Sequence, residues 1–509
     1  MIFTFKLLMF IEALQIASFV IFRASLKREA QQVIGPIDLA LMLAIPVVGL
    51  FGRDKNVFYA LLFLIPLLSI GKPRQLAGRY LLILPLFPEV LQSYVVGGVY
   101  IADVSAIDAF NLGALTALVL TSRGRARPVH SIDAAIWLFF LVSLVMEVRG
   151  VPLPGVLRST FFMMLAVVPP SYIMARLVST RSIARDATLF LALGGMCNAV
   201  IAVFESLRRW PLYQAIQDDL GVPFAMSATL SIRAGLLRAQ GAVANPTVLG
   251  LVLALALIAM LAARPRFRPL GWALVMALLA GGLLLCQSRG AWIAAVAGVA
   301  LYLLYERRTA ILAAFVSVSA LLLVAILAFF SGNSRIGGLI GRSGHAEGTA
   351  EYRRSLLARG LEEIAAHPLL GQTRTQLDLS MNDMRQSEHI IDFVNTHLHV
   401  ALASGLPGLA LWLIAWLMPL AIGWQLRGRR AAHDAQSPVA LPFAMIAACF
   451  VCLAFTSTID RMVPLVMLSV GMMSAYARLA KTGEATSGAR GPAARRPRLI
   501  AAVAATSST

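Results

Sequence analysis

The stretch Asn245–Pro269, NPTVLGLVLALALIAMLAARPRFRP, decides the fold. Its body, 246–263, carries no charged side chain, and a bilayer span needs roughly 17 to 25 such residues. Asn245 ahead of Pro246 is a strong helix start. Asn caps the first amides, and proline has no N–H to leave unsatisfied at the first helical position. Arg264, Arg266 and Arg268 close the run on a basic cluster. A long apolar helix ending in arginines reads as transmembrane, and the arginines mark the side on which that end stays.

The remainder of the chain repeats this pattern. Hydrophobic residues make up 59% of the 509 positions and charged ones 14%, with a mean hydropathy of +0.78. A soluble chain is nearer a quarter charged, so the composition is that of a membrane protein. Apolar stretches fall near 1–22, 35–51, 55–71, 79–99, 102–120, 131–148, 155–175, 187–206, 246–263, 269–286, 290–305, 310–330, 397–424, 437–457 and 462–478. The expected architecture is an all-α polytopic membrane protein of about 12 to 15 transmembrane helices, with one long outer loop containing amphipathic helices. Four regions are expected: N-terminal helices over 1–206, a core with two long loops over 207–425, further helices over 426–478, and a basic disordered tail over 479–509.

Basic clusters recur at Arg123/Arg125/Arg127, Arg176/Arg181/Arg185, Arg264/Arg266/Arg268, Arg307/Arg308 and Arg427/Arg429/Arg430. They occupy alternate loops, as the positive-inside rule requires of one face. The segments 23–28 and 72–79 and the tail after Lys481 keep the same parity, which makes that face cytoplasmic. Loops 207–245 and 331–396 then lie outside. The net charge of +19 therefore speaks for topology rather than for nucleic acid, and no nucleic-acid-binding motif accompanies it. Lys6 and Glu12 within the first apolar stretch argue against a cleavable signal. Cys197, Cys286, Cys449 and Cys452 form no secreted-type framework. The Cys449-x-x-Cys452 pair lies inside a span and reads as packing. No G-x-x-x-x-G-K-[ST] run offers a nucleotide site, and no cofactor is expected.

Arginine on the outside needs explaining. Loop 207–245 holds Arg208, Arg209, Arg233 and Arg238 against Asp218 and Asp219. Composition accounts for arginine over lysine, since the chain has 39 arginines and 5 lysines, but not for basic residues on that face. Guanidinium forks suit an anion such as diphosphate. Arg233, Arg238 and Gln240 precede the helix start at Asn245, where amides favour negative charge. An ordinary capped helix with snorkelling arginines is an equal alternative on charge alone. Arg289, in the short turn CQSRGAW (Cys286–Trp292), shares the same face; beside tryptophan it is also a common interfacial anchor. In the second loop, Leu356, Leu357, Leu361 and Ile364 recur at helical spacing and Pro368 stops the helix. Arg353 and Arg354 form one polar edge, with Glu362 and Glu363 two turns on; a solvated face explains any one of them equally well. Acids in or near spans are Asp38, Glu89, Asp103, Asp108 and Glu205, and Glu89 is the deepest.

The loop ends in DFVNTHLHVALASGLPG, Asp392–Gly408. On a helix, His397 and His399 point about 200° apart, so they cannot chelate one metal. A single neutral imidazole can still take a hydroxyl proton, although a hydrogen-bonded interfacial histidine is the commoner outcome. His397, beside Asn395, has the better case. Gly405, Pro407 and Gly408 fit a broken helix.

Taken in order, RAQGAVANPTVLG (238–250), SRGAW (288–292), AEYRRSLL with HPLLGQ (367–372), and VNTHLHVALASGLPGL (394–409) resemble the O-antigen ligase and polymerase superfamily over roughly 230–425. The resemblance implies metal-independent, inverting glycosyl transfer on the periplasmic face of the bacterial inner membrane. The donor would be a glycan on undecaprenyl diphosphate and the acceptor a glycan or lipid, in the company of membrane lipids and other polysaccharide-assembly proteins. It makes Arg238 and Arg289 the diphosphate clamp and Arg353 a loop contact, with Arg233, Gln240, Asn245 and Asn395 completing the substrate site. Family members often carry His-Asn-x-Tyr-Leu at this helix start, whereas here Val394 replaces the histidine and His397 the tyrosine. Either His397 serves as base, or Asp392 or His367 does. Polymerase is favoured over ligase because this helix start is unlike the usual ligase pattern. A lipid-linked glycan flippase or a non-catalytic scaffold are the competing classes; asymmetric outer loops argue against the first and convergent outer arginines against the second.

Overall fold

The computed structural model describes residues 2–122, 131–222, 232–233, 235–329, 345–385, 391–427, 437–457 and 462–481. Arg123, Arg125, Arg127, Arg429 and Arg430, parts of both long loops and the tail after Lys481 lie outside the described residues.

Helices α1 (Ile2–Ser25), the short α2 (Arg28–Gln31), α3 (Pro36–Phe51), α4 (Lys55–Leu67) and α5 (Pro73–Ile83) precede an antiparallel hairpin of β1 (Leu91–Val96) and β2 (Val99–Ser105). Then come α6 (Ala106–Ser122), α7 (Ser131–Glu147), α8 (Leu153–Phe162) and α9 (Val168–Leu177), the last two joined by a π-helical turn. The long α10 (Arg181–Arg208) leads to α11 (Gln214–Asp219) and a minimal pair, β3 (Ile232–Arg233) with β4 (Leu236–Leu237). Next are α12 (Pro246–Ala263), α13 (Pro269–Leu285), α14 (Arg289–Tyr305) and α15 (Thr309–Phe329). The chain continues through α16 (His345–Ala366), α17 (Arg374–Ser380), α18 (Thr396–Leu426), α19 (Ala440–Leu453) and α20 (Met462–Lys481).

This is an all-α polytopic membrane protein. Among the described residues six helices are long and apolar enough to cross a bilayer, and eight more are shorter but apolar. Fourteen of the stretches read from the sequence coincide with these helices. Helix α12 is apolar on every side and almost wholly buried, which places it at the centre of the bundle. As expected, Asn245 caps it, accepting from the amides of Thr247 and Val248 at 2.9 and 3.2 Å.

The basic ends gather at one end of the bundle. Lys27 N–H donates to the Arg266 carbonyl at 2.9 Å, Asp186 receives both Arg74 and Arg266, and Arg427 reaches the Leu304 and Tyr305 carbonyls. Buried Arg79 pairs with Asp38 at 3.0 Å and also donates to Ser69. This is the expected grouping of 23–28, 72–79, 185, 264–268 and 427.

One expected span is not a helix. The stretch 79–99 is helical only to Ile83; residues 84–90 are irregular and the hairpin begins at Leu91. Pro85 and Pro88 are the cause, because each removes an amide and blocks the preceding turn. The crossing survives because the freed carbonyls find side chains. Asn198 donates to Pro85 at 2.9 Å, Gln217 to Glu89 at 2.8 Å, and Tyr59 to Val90 at 3.0 Å. Leu84, Leu86, Phe87 and Val90 are buried. Irregular backbone is tolerated at membrane depth only when wrapped in protein in this way. Glu89 therefore lies in a connecting segment, not in the middle of a helix.

Helix α18 is broken where its glycines indicate. Gly405 has φ +67° and ψ −173°, a conformation open essentially to glycine alone. The segment His367–Gln372 docks into the break: Leu406 N–H donates to the Pro368 carbonyl at 2.8 Å, and Gln372 N–H to the Leu402 carbonyl at 2.8 Å. Arg149, just past α7, donates to the carbonyls of Leu370 and Ala403. Gln372 also donates to Glu363 at 2.6 Å, so this strap is tied back to α16.

Helix α16 ends at Ala366, ahead of Pro368 as expected, but its apolar residues do not form one face. Leu356 is buried with Leu377, Met381, Leu398 and Leu402, and Ile364 packs against them. Leu357 and Leu361 are exposed, 46% and 56%. Adjacent residues are about 100° apart on a helix, so Leu357 and Leu361 form a second stripe. The arginine pair splits likewise, with Arg353 turned in and Arg354 out.

A Cβ at Gly405 would sit 2.6 Å from the Leu369 carbonyl, and the backbone itself disfavours any side chain by about 1–3 kcal/mol. Gly405→Ala is expected to lower the thermal midpoint of the protein in detergent. An unchanged midpoint would show that the strap does not dock in the break.

Candidate active site

At the end of the bundle opposite the basic clusters, α10 carries Glu205, fully buried. Its carboxyl oxygens accept three backbone amides: Leu212 at 3.0 Å, Gln240 at 2.9 Å and Gly241 at 2.8 Å. Asn198, two turns earlier on α10, accepts from Ala242 at 2.9 Å. The segment 240–242, irregular and buried, thus hangs its amides on side chains of a packed helix. Directly before it, Ala239 N–H donates to the Leu285 carbonyl at 3.1 Å and Arg238 Nε to the Cys286 carbonyl at 3.4 Å. That contact joins Arg238 to the α13–α14 turn, whose next helix opens on Arg289.

Four arginines from three segments converge there. Arg238 lies within electrostatic range of Arg233 and Arg289, and Arg289 in turn of Arg233 and Arg353. Burial, then the charges of Arg233 and Arg289, push Arg238 down to about 10, only partly offset by the nearby Cys286. Burial and then Arg353 lower Arg233; burial also lowers Arg353, against the opposing pull of Asp392. All remain guanidinium cations at neutral pH. Among the described residues no carboxylate comes within ion-pair distance of Arg233, Arg238 or Arg353. Among the described residues the buried Nε of Arg353 has no hydrogen-bond acceptor. Such a cluster raises the energy of the empty protein and is relieved by an anion.

The start of α18 supplies the other wall. Asn395 caps it, accepting from the amides of His397 and Leu398 at 3.0 and 3.2 Å, and Thr396 donates to the Thr456 carbonyl at 2.8 Å. The two histidines diverge as their spacing requires. His399 stacks on Phe393 with ring centres 4.7 Å apart, while His397 turns towards Trp412 and Phe450. Trp412 Nε1–H donates to His397 Nδ1 at 2.7 Å, and His397 Nε2 lies 3.1 Å from the Phe450 carbonyl. An indole can only donate, so Nδ1 is the acceptor and the ring proton sits on Nε2, facing the carbonyl. In this tautomer both ring nitrogens are engaged, and no lone pair is left for a hydroxyl proton.

Asp392 sits just before this helix. Its Oδ1 accepts from Ser457 at 3.0 Å, and its carbonyl accepts from Tyr352 on α16 at 3.2 Å. Its charge acts on Arg353. His367 lies in the exposed strap, with its amide bonded to the Glu363 carbonyl. Gln240 is buried and its amide is held by Glu205. Asn245 and Asn395 use their side-chain oxygens as helix caps. The structure thus groups Arg233, Arg238, Arg289, Arg353 and Asp392, and gives Asn245, Asn395 and His397 internal partners. Sequence reasoning grouped Glu205 with the other acids in or near spans; its place late in a span, ahead of a loop bearing Arg233 and Arg238, was the available signal. Arg149, Trp412 and Ser457 had no local signature. Among the described residues no group of three or more His, Cys, Asp or Glu could hold a metal ion.

Residues 274–413, from α13 through Arg289, α16 and the strap to the break in α18, match the family described as O-Antigen ligase. This stretch is similar to that family, and it lies within a polytopic helical membrane protein. No curated protein matches it.

Glu205→Ala would strand three amides, each worth about 1–3 kcal/mol when buried unsatisfied. The expected result is a lower thermal midpoint and loss of inorganic diphosphate binding. Glu205→Gln, which keeps one acceptor oxygen, should fall between. A Glu205→Ala protein that binds diphosphate normally would separate this carboxyl from the arginine site.

Proposed function

We propose that the protein is a membrane glycosyltransferase acting on undecaprenyl-diphosphate-linked glycan at the outer face of the bacterial inner membrane. The observation that carries the reading is the convergence of Arg233, Arg238, Arg289 and Arg353 at the end of the bundle away from the basic clusters. The family match over 274–413 supplies the reaction class. A diphosphate is a leaving group that carries its own negative charge, so fixed cations aimed at it stabilise the transition state as the glycosidic bond breaks. Arg238 and Arg289, anchored through Glu205 and the α13–α14 turn, hold the diphosphate. Arg353 approaches from the loop helix, and Arg233 borders the same charge. Attack by an acceptor hydroxyl opposite the leaving group inverts the sugar carbon. The long loops are periplasmic in this reading and the tail cytoplasmic.

Polymerisation of repeat units is favoured over ligation to a finished acceptor, because the α18 start, Val394–Leu398, departs from the usual ligase pattern. Deleting the gene is expected to leave single repeat units in the lipid-linked pool. Long lipid-linked chains would point to a ligase instead, and intermediates stranded on the inner face to a transporter.

Arg238→Ala and Arg289→Ala are each expected to reduce glycan transfer by about 100-fold or more, the scale of losing one charge-stabilising donor, with protein level and membrane insertion unchanged. Normal surface glycan in both variants would remove the diphosphate clamp from consideration.

A further inference from the structure

Resting on the reading above, we propose that Asp392, not a histidine, takes the proton from the acceptor hydroxyl. Three observations place it there. First, His397 is pinned in one tautomer by Trp412 and Phe450 and offers no lone pair, while His367 sits in the exposed strap that closes the α18 break. Second, Asp392 is positioned from two sides. Ser457, following α19, donates to its Oδ1 at 3.0 Å, and Tyr352 of α16 donates to its carbonyl at 3.2 Å. Third, Arg353 lies within electrostatic range of Asp392 and also of Arg289 and Arg233. Arg353 and Asp392 are nevertheless farther apart than an ion pair, and among the described residues the buried Arg353 Nε has no acceptor. The gap between a carboxylate and an arginine cluster is where a hydroxyl nucleophile and an anionic leaving group belong.

The step balances without further reagents. The acceptor hydroxyl oxygen bonds to the anomeric carbon as its proton passes to the Asp392 carboxylate. The bond from that carbon to the diphosphate oxygen breaks, and its electron pair leaves with the lipid diphosphate. Asp392 then returns the proton to water. Among the described residues, Ser457 from the α19 end donates to Oδ1, Tyr352 from α16 donates to the main-chain carbonyl, and the charge of Arg353 lies within electrostatic range. Ser457 thereby fixes which oxygen is left for the substrate.

The test uses the full-length protein in lipid nanodiscs, with undecaprenyl-diphosphate glycan as donor. Asp392→Asn is expected to lower kcat by about 100-fold or more, the range of a lost general base, while donor binding stays within about threefold of the parent. Ser457→Ala, which removes the hydrogen bond that orients the carboxylate, should lower kcat by less than Asp392→Asn does and leave KM for the donor unchanged. His397→Gln should lower kcat far less than Asp392→Asn. An Asp392→Asn protein that turns over normally, or a His397→Gln protein that loses as much kcat as Asp392→Asn, would overturn the proposal alone. A parent protein that binds donor but transfers no glycan, or does not bind it, would overturn it together with the glycosyltransferase reading.

Discussion

The buried carboxyl of Glu205 is the interaction on which the arginine-bearing end of this bundle depends. Residues 239–244 are irregular yet buried, and irregular backbone in such a place must find partners for its amides. Glu205 accepts two of them, Asn198 a third, and the Leu285 carbonyl a fourth. The course of this segment then fixes two further things. It delivers Asn245 to the cap of α12, an almost wholly buried helix, and it holds Arg238 against the turn that carries Arg289. A hydrogen-bonded acid in the interior is costly unless fully paired, and three amides pair this one.

The same physical problem is solved twice more by the same means. Where Pro85 and Pro88 end the helix begun at Pro73, side chains of Asn198, Gln217 and Tyr59 cover the exposed carbonyls. Where Gly405 breaks α18, the strap 367–372 and Arg149 cover them. Asn198 serves both the first break and the arginine-bearing segment, so the hairpin side of the molecule and the site side share a strut. Long-range polar contacts of this kind set where irregular backbone can run; the apolar helices only set how far apart it must be held.

This division explains what could be read from the sequence. Apolar runs report burial in lipid or core directly, so fourteen stretches emerged as helices and the arginine-rich ends as one face. The stretch 79–99 misled because hydropathy counts apolar residues without asking whether the backbone is bonded; its two prolines were the missed sign. The arginines of the site were legible because positive charge is out of place on the face opposite the basic clusters. His397 was not, since its partners Trp412 and Phe450 lie 15 and 53 residues away, and nothing local to Thr396–Val400 says that its lone pair is occupied. Asn245 and Asn395 illustrate the limit from the other side. A cap and a ligand contact call for the same residue type, and here the amides of the following turn take the oxygen.

The site is built from two halves of unequal rigidity. Arg238 and Arg289 stand on the bundle, whose buried core is continuous through α10, α12 and α14. Arg353 and the contact to Asp392 come from α16, which is seated by a separate cluster of five buried residues. Apolar area sets the strength of such docking, so the smaller cluster holds its half less firmly. Repulsion between Arg353 and the bundle arginines weakens it further. An anion bridging the two halves reverses that sign, turning the repulsive charges into shared ligands and adding its binding free energy to the docking of α16. The arginines that repel one another across the two halves are thus the same groups an anion would bridge, so on the proposed reading the donor diphosphate draws α16 towards the bundle.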